Sequence, residues 1–292
     1  MKISIVIGTY NQKDTLEMVL RSFADQTIPP SDYEIVVIDS SSSDGTDQMM
    51  NHIKVPYSLK YLVKENKGKS SARNHGVKEA RSDIILLTDA DMIAANDLLE
   101  NHLIVHQQKK NASVEGATYN LKKKVTVDEL NPNHPDVEPY IKQHFRNGKK
   151  LKWSYFLSGN LSLKKDAFLR AGGFDEKFSI YGWEDIELGY RLKKMGVPLI
   201  YCAKAANYHY HFVSGEDMLK RKYRMGQSAA YFYRKHPNFT VKMFLGMNPI
   251  AMFIFNYLKK QPEKLKKITN QYILEEYYYR LGLTEELEKL KS

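Results

Sequence analysis

One cysteine, Cys202, is all the thiol chemistry that 292 residues contain. A lone cysteine closes no disulfide within the chain and leaves no cysteine-based zinc site, so a reducing, cytoplasmic setting is expected. Long apolar runs are missing as well. No stretch approaches the roughly 20 apolar residues of a membrane span. The opening "MKISIVIGTY" is apolar only from Ile3 to Ile7 and no small-residue cleavage pattern follows, so it is expected not to be a signal peptide. No repeat of solenoid period is visible. No Gly-x-Gly-x-x-Gly follows the first apolar run, which argues against a dinucleotide-dependent dehydrogenase.

What is present is an ordinary globular balance, 42% hydrophobic and 27% charged, with length for one large domain or two modest ones. The 44 basic residues exceed the 34 acidic ones, for a net charge of +10. Such an excess suits nucleic acid, an anionic membrane surface or phosphorylated substrates. Lysines gather at Lys122 to Lys124, at Lys149 to Lys152 and towards the end of the chain. These clusters lack interleaved aromatics outside the tail, and no nucleic-acid motif accompanies them, so a nucleic-acid partner is not expected.

The first third alternates strand and helix. "ISIVIGTY", "YEIVVIDS", "SLKYLV" and "DIILLTDADM" read as buried strands. Between the first two, Leu16, Val19, Leu20 and Phe23 recur at helical spacing, and Asp14 with Glu17 has the spacing of a capping box. A helix is expected near Asp47 to Ile53, and another after "GKSS", capped by Ser70 or Ser71. This alternation predicts an α/β fold with a mostly parallel sheet covered by helices, its ligand beyond the carboxyl ends of the strands. Further on, "NASVEGATYN" reads as a strand and residues 128–150 as a long loop or lid. "YFLSGNLSLKKDAFLRAGGFDE" reads as a strand and short helix ended by Gly172–Gly173. "GWEDIELGYRLKKMG" reads as a helix with Leu188, Leu192 and Met195 on one face, and "VPLIYC" as a last strand leading to "NYHYHF". From about Ser214 the chain looks helical, basic and rich in tyrosine.

The fourth strand ends in "TDAD". Residues two apart in an extended segment point the same way, so Asp89 and Asp91 are expected to face one cleft. Two carboxylates there repel, and a divalent cation such as Mg²⁺ or Mn²⁺ relieves them. A solvated turn is the plainer alternative.

Further stretches join this one. "VIGTYNQKDTLEMVLRSFADQ", "EIVVIDSSSSDGT", "NKGKSSARNHGVKEARSDIILLTDADM", "SGNLSLKKDAFLRAGGFDE" and "YGWEDIELGYRL" together resemble the family 2 glycosyltransferases of the GT-A fold. The likeness runs over residues 3 to about 211. It implies a bacterial, inverting enzyme that uses a nucleotide-sugar donor, UDP-linked in the first instance, and a saccharide or lipid-linked acceptor. The ordered blocks imply that 1–110 hold the nucleotide-sugar, 111–213 the acceptor and catalytic groups, and 214–292 a helical basic extension. They also imply roles by position. Thr9 and Asp39 hold base and ribose, with Tyr10 and Asn11 lining that pocket. Arg73 and Lys69 approach the base or diphosphate, and Asn160 faces the donor sugar. Asp91 binds Mn²⁺ or Mg²⁺, and Asp89 contacts ribose or the metal's water. His209, in "A-x-Y-H", is a further metal ligand, with His211 beside it. Asp185 deprotonates the acceptor hydroxyl, and Glu184 orients acceptor or donor.

Glu184 and Asp185 also stand at a predicted helix start, whose positive end favours carboxylates by roughly 0.3–1 kcal/mol. That suits a base that must be ionised at neutral pH, although acidic residues cap helices without any catalytic role. Trp183 either stacks on a sugar ring or packs in the core. The apolar, basic tail "MFLGMNPIAMFIFNYLKK" has three readings: a peripheral contact with the inner face of the membrane, packing on the core, or a homodimer contact. A nucleotidyltransferase is the chief rival, since it also sets carboxylates and metal at a parallel sheet's edge. It would release pyrophosphate rather than a nucleoside diphosphate.

Overall fold

The computed structural model describes residues 1–124, 130–131, 133–140, 145–178, 180–212 and 215–289. The chain divides into two compact units, Met1–Glu176 with Asp185–Phe212, and Lys177–Glu184 with Val213–Ser292.

The first unit opens with β1 (Ile3–Thr9), α1 (Lys13–Ser22), β2 (Tyr33–Asp39), α2 (Thr46–His52), β3 (Ser58–Val63), α3 (Lys69–Glu79) and β4 (Ile84–Asp89). The four strands run parallel in the order β3-β2-β1-β4. All seven residues of β2 are buried, as its uninterrupted β-branched run requires for a central strand. β3 lies at the edge, and Lys60 on it pairs with Glu79 of α3. Successive side chains of β1 face opposite sides. Ile3, Ile5 and Ile7 join one apolar cluster and Val6 joins another, so both faces of the sheet are covered.

The remainder of this unit comprises β5 (Met92–Ala94), α4 (Leu98–Gln108), β6 (Ser113–Leu121), β7 (Val137–Pro139), β8 (Lys150–Leu151), β9 (Asn160–Lys164), α5 (Lys165–Arg170), α6 (Glu184–Lys194) and β10 (Leu199–His209). β9 enters antiparallel between β4 and β6, β10 runs parallel to β6, and β5 closes antiparallel on β10. The sheet is therefore mixed, with the parallel four strands at one side.

Local expectations fail in four places. α1 is entered through Gln12 with no side-chain cap, and Glu17 bonds forward to Arg21 instead of closing a box with Asp14. α3 starts after Gly68, whose φ of 86° only glycine adopts freely, so Ser70 and Ser71 are buried inside the helix rather than capping it. On α6, Leu188 and Leu192 are buried but Met195 is 41% exposed, because the helix has ended by then. The loop expected over 128–150 lies partly outside the described residues, at 128–129, 132 and 141–144. The rest of it contributes β7 to β6 and β8 to β10.

The second unit contains α7 (Gly215–Lys235), α8 (Phe239–Phe244), α9 (Pro249–Lys259), α10 (Pro262–Lys266) and α11 (Gln271–Lys289). α7 and α11 meet at Gly226 and Gly282. A Cβ at either position would collide with the other helix's backbone, at the Tyr279 and Tyr223 carbonyls respectively. Asn238 and Asn248 cap α8 and α9, accepting from the Val241 and Ala251 amides at 3.1 and 2.8 Å. Among the described residues no helix is long and apolar enough to cross a membrane.

Candidate active site

Parallel register brings the carboxyl ends of three strands level. Thr9 stands opposite Asp39, and Gly8 opposite Asp89. A cleft of about 260 Å³ opens there. Of the residues expected at a nucleotide site, Thr9, Tyr10, Lys69, Asp89 and Asp91 line it. Gln12, Ser40, Asn66 and Gly68 also line it, and the sequence patterns did not single them out. The Thr9 hydroxyl is buried with no hydrogen-bond partner among the described residues, an open valence in the cleft wall.

Asp39 and Asn11 serve the loop beneath. Asp39 Oδ1 accepts from the Ser42 amide and hydroxyl at 2.9 and 2.6 Å, and Oδ2 accepts from the Tyr61 hydroxyl at 2.6 Å. Asn11 has a φ of 52°, a region asparagine tolerates, and its Oδ1 accepts from the Ser43 amide at 2.8 Å. Asn11 is therefore bound to the β2–α2 loop and is not part of the cleft wall.

The two aspartates of "TDAD" keep different company. Asp89 Oδ1 accepts from Arg73, and Oδ2 accepts from Lys69 Nζ at 2.9 Å. Burial by itself would push the Asp89 carboxyl up. The charges and hydrogen bonds of Arg73 and Lys69 outweigh that and hold it well below the usual carboxylate range. Arg73 is fully buried, its guanidinium 5.5 Å from the centre of the Phe174 ring. The repulsion expected between the carboxylates is thus relieved on the Asp89 side by two fixed cations. Asp89 does not belong to the group of residues that could share a metal ion.

Asp91 does. Its Oδ2 lies 3.6 Å from His209 Nε2 and 3.5 Å from His211 Nδ1. The ligand atoms of all three residues fall within 4.8 Å of one another. β10 supplies this arrangement. His209 ends the strand opposite Met92 of β5, and the Tyr210 amide donates to the Asp91 carbonyl at 2.8 Å, tying the aspartate's turn to the histidine segment. On its other side His209 Nδ1 meets Asn120 Oδ1 at 3.2 Å. An Nδ1–H donated there leaves the Nε2 lone pair facing Asp91, the tautomer a metal ligand needs. One carboxylate with two imidazoles fits a borderline divalent ion such as Mn²⁺ better than Mg²⁺, which favours an all-oxygen shell.

Glu184 and Asp185 begin α6 as expected. Asp185 Oδ1 accepts from the Ile186 amide at 2.7 Å, and the Ser158 amide and hydroxyl reach Oδ2 at 3.4 and 3.5 Å. One residue further along, Gly159 abuts the Asp89 side of the cleft. A Cβ on it would sit 2.8 Å from Met92 Cε and 3.9 Å from Asp89 Oδ2. Asp185 and the Asp89 end of the cleft are therefore approached by adjoining residues, Ser158 and Gly159. Leu157 extends the pattern, its amide donating at 3.1 Å to Glu115, a fully buried carboxyl on β6 that sequence reading passed over. Burial, and then the charge of Asp185, push Glu115 well above the usual carboxylate range, despite the Leu157 hydrogen bond.

Two expected ligands sit elsewhere. Asn160 is buried in the sheet, donating to the carbonyls of Ala117 and Ala205 at 3.2 and 2.9 Å. It fills the irregularity where the β6–β10 register shifts between Cys202 and Ala206, so its amide hydrogens are engaged within the sheet. Its Oδ1 accepts from His102 Nε2, Ser162 bridges His102 to His106, and burial pushes those imidazoles down to about 4 and about 3. Trp183 belongs to the second unit. Its Nε1 donates to the Met225 carbonyl at 2.8 Å, and its ring meets Phe232, Phe244 and Tyr279. Gly182 and Trp183 are both left-handed, at φ 89° and 76°, and for a bulky tryptophan that is strained backbone directly before Glu184.

Residues 4–170 match the family model described as glycosyl transferase family 2, and residues 142–214 match one described as the N-terminal domain of galactosyltransferase. Validoxylamine A glucosyltransferase of Streptomyces hygroscopicus subsp. limoneus is 28% identical over 287 residues, covering 86% of this chain and 60% of that protein. The chain spans 60–65% of the length of the first curated relatives it matches. Among solved structures, a mannosyltransferase from Pyrobaculum calidifontis in complex with GDP-Man and Mn²⁺ aligns over 100% of this chain and 88% of its own, with a TM-score of 0.66 and 16% identity. S. aureus TarS 1-349 in complex with UDP-GlcNAc aligns over 99% and 92%, with a TM-score of 0.58 and 17% identity. At these identities the structural likeness shows a shared fold.

Proposed function

The chain belongs to glycosyltransferase family 2, and on that footing we propose that it moves a sugar from a nucleotide-sugar, a UDP-sugar in the first instance, to a hydroxyl of a saccharide or lipid-linked acceptor. Residues 1–110 would hold the donor, 111–213 the acceptor and catalytic groups, and 214–292 form an extension outside the chemistry. The observation that carries this reading is the convergence of Asp91, His209 and His211 beside a cleft at the strands' carboxyl ends.

Thr9, with its unpartnered hydroxyl, and Ser40 would contact the nucleoside, with Asp39 fixing the loop that presents Ser40. Lys69 on the cleft wall would meet the diphosphate, while Arg73 behind it holds Asp89 in place. Asp91, His209 and His211 would hold a divalent cation, Mn²⁺ ahead of Mg²⁺. Such an ion, when bound, supplies positive charge for the leaving diphosphate. Asp185 accepts the acceptor hydroxyl's proton. The acceptor oxygen forms a bond to the anomeric carbon, and the bond to the diphosphate oxygen breaks with its electron pair leaving on the nucleoside diphosphate. A single displacement of this kind inverts the anomeric centre.

A thermal shift of the wild type and Asp91→Ala tests the reading, with UDP, GDP or TDP in Mn²⁺ or EDTA. A ligand at 100 times its dissociation constant stabilises by about 2.7 kcal/mol. Stabilisation by one nucleotide, lost in EDTA and in the variant, supports the site and names the base. No stabilisation by any nucleotide overturns it. Release of pyrophosphate in place of a nucleoside diphosphate would favour a nucleotidyltransferase.

A further inference from the structure

One side of α9 is an exposed apolar surface of the second unit. Phe255 anchors the helix, buried with its ring 5.4 Å from that of Tyr277. Ile250 and Phe253 are each 74% exposed, and Ile254 and Tyr257 are about half exposed. These four recur at i, i+3, i+4 and i+7 and so form a single stripe. On α8, Phe239 is 76% exposed. Asn248 at the cap and Pro249 in the first turn fix α9 as a helix independently of any partner.

Charge along this stretch of chain is mostly of one sign. From Phe239 to Lys267 the chain carries six lysines and a single acidic residue, Glu263. Glu263 is paired with Lys266 at 2.9 Å. Lys264 donates to the Tyr257 hydroxyl and its Nζ lies 5.0 Å from that ring's centre, so an ammonium stands on the stripe itself.

Large apolar side chains flanked by lysines on one short helix match an interface that is apolar inside and anionic outside. A second copy of the chain would bring lysines against lysines. At 11 residues, α9 is about 16 Å long, roughly half the thickness of a bilayer's hydrocarbon core, so it can lie along a membrane but not cross it.

We propose that this face docks the protein peripherally on an anionic lipid surface, with Ile250, Phe253, Ile254 and Tyr257 entering the headgroup–acyl boundary and Lys259, Lys260 and Lys264 meeting the lipid charges. The proposal is independent of the glycosyltransfer reading. Co-sedimentation of the full chain with vesicles of phosphatidylcholine alone, or with phosphatidylglycerol added, tests it. Binding is expected only with phosphatidylglycerol, and to weaken severalfold from 0.1 to 0.5 M salt as charges are screened. Ile250→Asp with Phe253→Asp should lower binding about tenfold or more, the loss of two buried apolar side chains. Lys259→Glu with Lys260→Glu should also lower it. All four positions are exposed, so circular dichroism should stay unchanged. Equal binding to both vesicle types, or no effect of the Ile250 and Phe253 pair, overturns the proposal. So does a concentration-dependent dimer, lost in that pair, without vesicle binding.

Discussion

The imidazoles of His209 and His211 lie stacked, ring centroids 5.4 Å apart and planes 10° from parallel, and both turn a nitrogen to the same oxygen of Asp91. Two rings held parallel on one extended segment present their nitrogens as a fixed pair, which is what a cation needs and what an ordinary turn does not require.

Removing either ring should therefore act on the metal before anything else. His209→Ala and His211→Ala are each expected to weaken Mn²⁺-dependent nucleotide binding, and Asp91→Ala to abolish it, while for the two partly exposed histidines thermal stability without metal stays within about 1 kcal/mol. Calorimetric titration of the nucleotide at fixed Mn²⁺ measures this. Asn120→Ala should also weaken the metal, by freeing the other face of His209.

Asp185→Asn should separate chemistry from binding. The amide keeps an acceptor oxygen for the Ile186 amide, so the start of α6 survives, and only the long contacts from Ser158 to the second carboxylate oxygen are given up. Loss of a general base costs about 10²–10⁴ in rate. The expected result is a fall of that order in kcat with nucleotide affinity unchanged, read by nucleoside diphosphate release and by thermal shift.

Glu115 gives a pH prediction of definite sign. Its carboxyl is raised in the folded state, so the fold binds the proton more tightly than the unfolded chain does. That contribution is present below the unfolded value of 4.5 and is lost as pH rises through the folded value. Glu115→Gln keeps an acceptor for the Leu157 amide and cannot ionise. Its stability relative to wild type should increase from pH 4.5 upwards and level off once the wild-type carboxyl ionises, as followed by urea unfolding at several pH values.

Gly226→Ala and Gly282→Ala should each destabilise the second unit, because the added methyl meets backbone rather than a movable side chain. Overpacking of this kind costs about 1–3 kcal/mol or more. Calorimetry should show the loss, and nucleotide binding at the cleft of the first unit tests that it stays local.

The parallel half of the fold was legible because its signals are local. Continuous β-branched runs such as "YEIVVID" bury on both faces only as central strands, and Thr9 and Asp89 had to end such strands, with Asp91 in the turn that follows β4. The likeness to a known family supplied His209 and Asp185, which no spacing rule brings near the aspartates. What stayed hidden depends on distant partners. Asn160 reads as a turn residue until β6 and β10 slip register and offer it two carbonyls. Glu115 looks like an exposed strand residue until the Leu157 amide arrives from 42 positions away. Asp14 with Glu17 imitates a cap, yet the Lys13 amide is taken by Asp44 from another loop. In the cleft, Gln12 and Asn66 fall inside the family-like blocks without an assigned role, and they line it because the ends of neighbouring elements converge there.

The boundary between the units falls inside one short stretch of chain, with Trp183 and Glu184 on one side and Asp185 on the other. The indole's neighbours, Phe232, Phe244 and Tyr279, all lie after residue 212. A gene shortened at that point would still encode the whole of "WED" but would strip the tryptophan of its surroundings while leaving its unusual backbone torsion to be maintained. The transferase-family blocks follow one another in sequence; the compact unit they build is interrupted by residues 177–184. Swapping tails between relatives therefore amounts to exchanging the support of the peptide that precedes Asp185, and chimaeras should be cut with residues 177–184 travelling alongside the tail.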